Sequence, residues 1–252
     1  MKNILITGAS RGIGAELAKH WCKGNNIFLH YNSSKNKAKQ VKSFIEENGG
    51  KANLIQADLT SNSGCERLVN ELTKLTDKID ILVNNAGIYQ KVSKSLDDIS
   101  WDHCQAMLSV NTISPIILTK LLYDFLIKSD NPSVIFISSL AALARVEGCL
   151  PYVISKDAIE SATQVYAKLL APKIRVNAIA PGVIKTGIHQ QACPDNPIKS
   201  EADFLAKVIN ERSALKKLTT YNEFNQVADL LATNKAMTGV IIDLNSGSSY
   251  RR

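Results

Sequence analysis

Short, almost purely apolar runs alternate with longer stretches of helical periodicity along nearly the whole chain. The runs are Ile4–Ile6, Ile27–Leu29, Ala52–Ile55, Ile81–Val83, Val134–Ile137, Ile174–Ile179 and Val240–Ile242. Between them, apolar residues recurring at helical spacing predict helices over 13–23, 34–48, 63–75, 101–128, 153–170, 201–211 and 222–232. Apolar strands separated by helices specify a parallel sheet, because a parallel neighbour can be reached only through a crossover. The expected fold is α/β: one doubly wound parallel sheet of about seven strands with helices on both faces, a single domain over 1–252.

Two of these helices are apolar on more sides than a surface helix needs. In 101–128 the set includes Trp101, Ile113, Ile117 and Leu121, and in 153–170 it includes Val153, Ile154, Val165 and Leu169. Such helices are covered by more than one neighbour, either further parts of the same chain or a second subunit. The irregular stretch 185–200, with Gly187, Pro194 and Pro197, follows a strand at the carboxyl edge of the sheet. Ligands sit at that edge, so a lid over about 185–215 is expected, the alternative being a plain surface loop.

The remaining composition mostly excludes. Hydrophobic residues are 45% and charged residues 21% of the 252, which suits a large core and no disorder. No apolar run reaches the ~20 residues of a membrane span. Met1-Lys2-Asn3 leads directly into a strand without a signal-peptide layout, so a cytoplasmic protein is expected. Five cysteines lie scattered with no Cys-x-x-Cys pair, which argues against zinc and against a disulfide framework. The net charge of +7 would attract acidic partners, but no basic stripe is interleaved with aromatics, and nucleic-acid binding is not expected.

The first strand ends in Thr7-Gly8-Ala9-Ser10-Arg11-Gly12-Ile13-Gly14 and runs into a helix. Glycines there let the backbone approach a ligand, and the helix start offers unpaired N–H groups and a positive dipole end to a pyrophosphate. Gly8, Ser10, Arg11, Gly12, Ile13 and Gly14 are therefore expected to bind a dinucleotide. The second strand should choose which one. A carboxylate at its end would bind the 2′-hydroxyl of NAD, yet no Asp or Glu occurs between Glu16 and Glu46, and the strand ends in His30-Tyr31-Asn32-Ser33-Ser34-Lys35. With Tyr31, Asn32 and Ser33 at this position and the guanidinium of Arg11 in the turn, NADP is expected.

Tyr152 and Lys156 stand four residues apart in a predicted helix and share a face. An ammonium beside a phenol stabilises the phenolate and lowers its pKa, so the phenol can exchange a proton with a carbonyl or alcohol oxygen. Ser139, at the end of Val134–Ile137, could hold that oxygen, with Ser138 as its competitor. Asn111 is a polar residue in an apolar helix and needs a partner.

The spacing Gly8-x-x-x-Gly12-x-Gly14, the segment Asn84-Asn85-Ala86-Gly87, Ser139, Tyr152-x-x-x-Lys156 and Pro181-Gly182 together resemble the short-chain dehydrogenases/reductases, from Lys2 to about Gly247. The resemblance implies a Rossmann-type fold and an Asn111, Ser139, Tyr152, Lys156 tetrad. In it Tyr152 protonates the carbonyl, Ser139 orients it, Lys156 binds the nicotinamide ribose, and Asn111 holds a water in a proton relay. It also implies that Asp58 and Leu59 border the adenine, that Asn85, Ala86 and Gly87 line the cleft, and that Pro181, Gly182, Val183, Ile184 and Thr186 lie beside the nicotinamide. The nearest branch in character is that of the NADPH-dependent 3-oxoacyl-[acyl-carrier-protein] reductases of fatty acid biosynthesis. That branch implies a homotetramer or dimer and a small or carrier-bound carbonyl substrate. Lys168, Lys173 and Arg175 would suit an acidic carrier. Two departures stand near the pocket or subunit contacts: Ile88-Tyr89-Gln90-Lys91 replaces an Arg-Asp pair, and Asn245-Ser246-Gly247 replaces Asp-Gly-Gly. The alternatives are another ketone, sugar or secondary alcohol as substrate, or a non-catalytic NADP-binding regulator. The intact tetrad argues against the regulator.

Overall fold

A computed structural model describes residues 1–89, 99–145, 150–186 and 201–248. The strands β1 (Asn3–Ile6), β2 (Asn26–Tyr31), β3 (Lys51–Gln56), β4 (Ile81–Asn84), β5 (Ser133–Ile137), β6 (Arg175–Pro181) and β7 (Ile241–Leu244) form one sheet in the order β3-β2-β1-β4-β5-β6-β7. Every pairing is parallel. The chain starts at the centre, winds outward to β3, then returns to β4 beside β1 and winds the other way. That reversal between β1 and β4 opens a crevice at the carboxyl ends of the strands, the place where such sheets take ligands.

Strand residues alternate strictly between two cores, as a pleated strand demands. Ile4, Ile6, Leu29, Val83, Ile135 and Ile179 face one side, against α1 (Gly12–His20), α2 (Lys35–Glu47) and α10 (Tyr221–Thr233). Leu5, Phe28, Leu82, Val134, Phe136 and Ala178 face the other, against α3 (Asn62–Thr73), α5 (Ser114–Leu121) and α8 (Leu150–Leu170). Helix boundaries carry their own chemistry: Ser61 caps α3, and Thr220 and Glu223 form a reciprocal capping box on α10.

The stretch 101–128 is not one helix. It divides into α4 (Trp101–Leu108), a π turn over Ser109–Ile113, α5, and the short α6 (Tyr123–Leu126). Pro115 is the reason: it lacks the N–H that an α-helix would bond to the Asn111 carbonyl, and the Ser114 N–H reaches back to Ser109 instead. A five-residue helix, α7 (Leu140–Ala144), follows β5 where no helix is expected from periodicity. Of the lid expected over 185–215, residues 187–200 lie outside those described; the helix α9 (Glu201–Lys207) and a π turn (Val208–Arg212) follow. Among the described residues, the all-round cover expected for the two apolar helices is incomplete. Trp101, Val165 and Leu169 stay 81%, 63% and 70% exposed. No described helix is long and apolar enough to cross a membrane.

Candidate active site

At the head of β1, Thr7 is buried and acts as a hub. Its hydroxyl accepts the N–H groups of Asn85 (3.0 Å) and Ala86 (2.9 Å). In return the Asn85 amide donates to the carbonyls of Thr7 (2.8 Å) and Gly8 (3.1 Å). The glycine turn is thereby laced to the end of β4 across the crevice. Two glycines serve that packing: a Cβ at Gly14 would stand 2.5 Å from the Asn85 amide nitrogen, and one at Gly8 would stand 2.8 Å from the Ala86 Cα. Gly8 and Gly12 both have a positive φ, +65° and +58°, which favours glycine. A Cβ at Gly12 would stand 3.4 Å from Thr186, so the turn faces the segment after β6.

The start of α1 is built for an anion. Arg11 occupies the N-cap position without a side-chain cap bond, and the first turn holds no acidic residue. The same is true of α2, whose Ser34 makes no cap bond and whose first turn begins with Lys35. Ser61, Ser100 and Thr220, by contrast, all cap their helices. Two uncapped helix starts beside one crevice, with a glycine cradle between strand and helix, fit a phosphorylated dinucleotide. Asn32 and Ser33 are exposed at the end of β2, and Asp58 is exposed at the end of β3, accepting the Thr60 N–H at 3.1 Å. Ser10, Ile13, Gly182 and Val183 are half-buried around the crevice. Tyr31, Leu59 and Ile184, also expected to meet a cofactor, are buried. Pro181 ends β6, and Gly182 allows close packing: a Cβ there would stand 2.8 Å from the Asn245 Cα.

The residues expected to handle a proton converge on the far side of β4. Ile88 and Asn111 embrace: the Ile88 N–H donates to Asn111 Oδ1 at 2.8 Å, and Asn111 Nδ2 donates to the Ile88 carbonyl at 3.0 Å. The second amide hydrogen reaches Ser155 Oγ at 3.0 Å, and Ser155 donates to the Tyr152 carbonyl at 2.8 Å. Asn111 thus ties the segment after Gly87 to the turn of α8 that carries Tyr152. A Cβ on Gly87 would lie 3.3 Å from Asn111 Oδ1 and 3.6 Å from Lys156 Nζ, so the three pack against one another. Lys156 Nζ donates to the Ile137 carbonyl at 2.7 Å and stands 5.9 Å from the centre of the Tyr152 ring. Burial pulls its pKa down from 10.5 to about 8, which leaves it mostly protonated at neutral pH. Tyr89 meets the Tyr152 ring edge-on, centroids 4.9 Å apart.

The two serines after β5 have separate environments. Ser138 is buried, and its hydroxyl donates to Glu160 Oε1 at 2.6 Å. Ser139 is half-buried and caps α7, its Oγ accepting the Ala141 N–H at 3.2 Å. A hydroxyl that accepts there keeps its own proton to donate. Both amide hydrogens of Asn111 are spent inside the protein, so its side chain is a brace between Ile88 and Ser155.

A family profile described as short chain dehydrogenase matches residues 2–197. The chain belongs to the short-chain dehydrogenase/reductase family. Among curated members of this family of oxidoreductases, the short-chain dehydrogenase/reductase FrzI of Cladobotryum sp is 30% identical over 251 residues, covering 98% of this chain and 95% of its own. The 3-oxoacyl-[acyl-carrier-protein] reductase FabG of Buchnera aphidicola is 30% identical over 250 residues, covering 98% and 96%. Among solved structures, the angucycline C-6 ketoreductase LanV with bound NADP superposes with a TM-score of 0.85 at 26% identity, covering 99% of this chain and 96% of that one.

Membership in the short-chain dehydrogenases/reductases explains the chemically typed residues, but not those that hold them. Thr7, His30 and Ser155 are buried polar residues that the sequence reading passes over. His30 accepts the Gly8 N–H through Nδ1 and reaches the Ala57 carbonyl through Nε2. The available signal was a histidine closing an apolar strand, since a buried polar side chain in such a place must be partnered.

Proposed function

We propose that this protein is an NADPH-dependent carbonyl reductase that converts a 3-oxoacyl thioester to the 3-hydroxyacyl form. The observation that carries the reading is the meeting of Tyr152, Lys156, Asn111 and Gly87 at the crevice bounded by the glycine turn. A nicotinamide dinucleotide held by the turn, the start of α1 and Thr186 supplies the hydride. Tyr152 delivers the proton to the carbonyl oxygen, and Ser139 donates a hydrogen bond that fixes that oxygen. Lys156, charged and buried, favours the phenolate that remains, which makes the phenol a better acid at neutral pH. The proton is restored through water at the Asn111 carbonyl, which Pro115 cannot pair from one turn ahead. NADPH is favoured over NADH by the acid-free, uncapped start of α2 after Asn32 and Ser33, together with Arg11.

A second reading keeps this chemistry and changes the substrate to a cyclic or aromatic ketone. It is supported by Tyr89, whose ring stands against the Tyr152 ring where an Arg-Asp pair is expected in the acyl reductases. The assay follows NADPH and NADH oxidation with an acetoacetyl thioester beside a panel of cyclic ketones and quinones. The first reading expects thioester turnover and at least a ~10-fold preference for NADPH, the worth of one charged hydrogen bond. Turnover of the cyclic ketones alone would replace it with the second, and preference for NADH would remove the cofactor assignment.

We also propose that the exposed apolar residues of α8 meet a second copy of the chain. Val165 and Leu169 are one helical turn apart and share a face. Replacing both by glutamate is expected to shift the protein to a monomer in size-exclusion chromatography with light scattering. An unchanged mass would remove this interface.

A further inference from the structure

We infer that His30 is a positioning residue for the dinucleotide, one that sets the glycine turn relative to the adenine side of the crevice. It rests on the dinucleotide reading above. His30 is 2% exposed and lies near the carboxyl end of β2, next to the crevice, with β1 and β3 on either side of β2. It makes three connections. Its Nδ1 accepts the Gly8 N–H at 3.1 Å, its backbone carbonyl accepts the Ala9 N–H at 2.9 Å, and its Nε2 stands 3.1 Å from the Ala57 carbonyl.

A carbonyl can only accept, so Nε2 carries the hydrogen and Nδ1 is left as the acceptor for Gly8. The imidazole is therefore a neutral bridge with one defined tautomer. It has two consequences for a ligand. The first two N–H groups of the turn are already bound to His30, so a pyrophosphate is met by the N–H groups further on, at the uncapped start of α1. Ala57 directly precedes Asp58 and Leu59, so the same ring locks the loop on the adenine side to the turn on the pyrophosphate side. On its other flank the turn is pressed against Ala86, where even a Cβ at Gly8 would come within 2.8 Å. A turn held on one side only could slide toward the ligand or away from it. His30 supplies the second side.

The test compares wild type with His30→Leu, His30→Asn and His30→Gln, measuring NADPH affinity by fluorescence titration, turnover at saturating NADPH, and melting temperature. Leucine removes both ring bonds; asparagine returns an acceptor near Nδ1, while glutamine returns a donor near Nε2. His30→Leu is expected to weaken NADPH binding ~10-fold or more, the scale of one lost buried hydrogen bond. Turnover at saturation should stay within about 3-fold of wild type, because no reacting atom is touched. Asparagine should recover most of the affinity and glutamine little of it. His30→Leu that binds NADPH like wild type, or that loses turnover without losing affinity, overturns the inference alone. Should His30→Leu fail to fold, asparagine and glutamine variants of equal affinity overturn it. A wild-type chain binding neither NADPH nor NADH removes the dinucleotide reading, and this inference with it.

Discussion

Replacing Lys156 by methionine is expected to raise the melting temperature of the cofactor-free protein while reducing turnover by ~100-fold or more. Lys156 is a buried cation whose polar contact in the structure is the Ile137 carbonyl at 2.7 Å. Its pKa falls from 10.5 in the unfolded chain to about 8 in the fold. Below about pH 8 both states hold the proton, and the folded state carries the whole cost of burying it, about 3 kcal/mol. Between about pH 8 and 10.5 the unfolded chain still binds a proton that the folded chain has released, so stability rises with pH across this window. Methionine fills the same space without charge. It leaves the Ile137 carbonyl short of a partner, which costs about 1–2 kcal/mol. The balance near pH 7 is a gain of about 1–2 kcal/mol, or about 3–6 °C for a chain of this size. Calorimetry of both proteins from pH 7 to 10 checks it: wild type should gain on the variant as pH rises. A variant that melts lower than wild type at pH 7, with parallel pH profiles, would sink the account. The residue would then be costly to remove for structural reasons, instead of being retained at a cost for its charge.

The same tension between local pattern and fold decides what could be read from the sequence. The sheet was legible because strands buried on both faces appear as unbroken apolar runs, and Ile4–Ile6 or Val134–Ile137 have no other comfortable place. Chemically typed residues were legible too, since a phenol and an ammonium four apart in a helix keep their geometry in any fold that preserves the helix. The π turn was not. Apolar periodicity runs through 101–128 without a gap, and only Pro115 marks the place where an α-helical bond is missing. One residue more in that turn rotates everything after it by about 100°, so the direction of Asn111 was out of reach. A polar residue in need of a partner was the expectation; a brace between Ile88 and Ser155 is what the fold makes of its side chain. His30 was hidden for a related reason. Its partners Gly8 and Ala57 lie 22 and 27 positions away, just past the ends of neighbouring strands, and become neighbours only when β1, β2 and β3 are aligned. Tyr89 was legible only as a departure, and its contact with Tyr152 gives that departure a physical content.

Tyr152→Phe is expected to lower turnover by about 100- to 10,000-fold, the range for a positioned general acid, while leaving fold and cofactor affinity near wild type. The substitution removes one oxygen and nothing else. A phenyl ring keeps the edge contact with Tyr89 at 4.9 Å and the ammonium of Lys156 at 5.9 Å. The Tyr152 carbonyl keeps its bond from Ser155, so the first turns of α8 and the Asn111 brace stay assembled. What is lost is the proton that the buried charge of Lys156 would help to deliver. Ser139→Ala should cost less, because Ser139 orients the carbonyl oxygen and its own Oγ is partly engaged by the Ala141 N–H. The ordering therefore matters as much as the size. Single-turnover measurements with NADPH separate the chemical step from product release. A Tyr152→Phe protein within about 10-fold of wild type in that step would move the acid role elsewhere, and with it the reason for keeping a cation buried at Lys156.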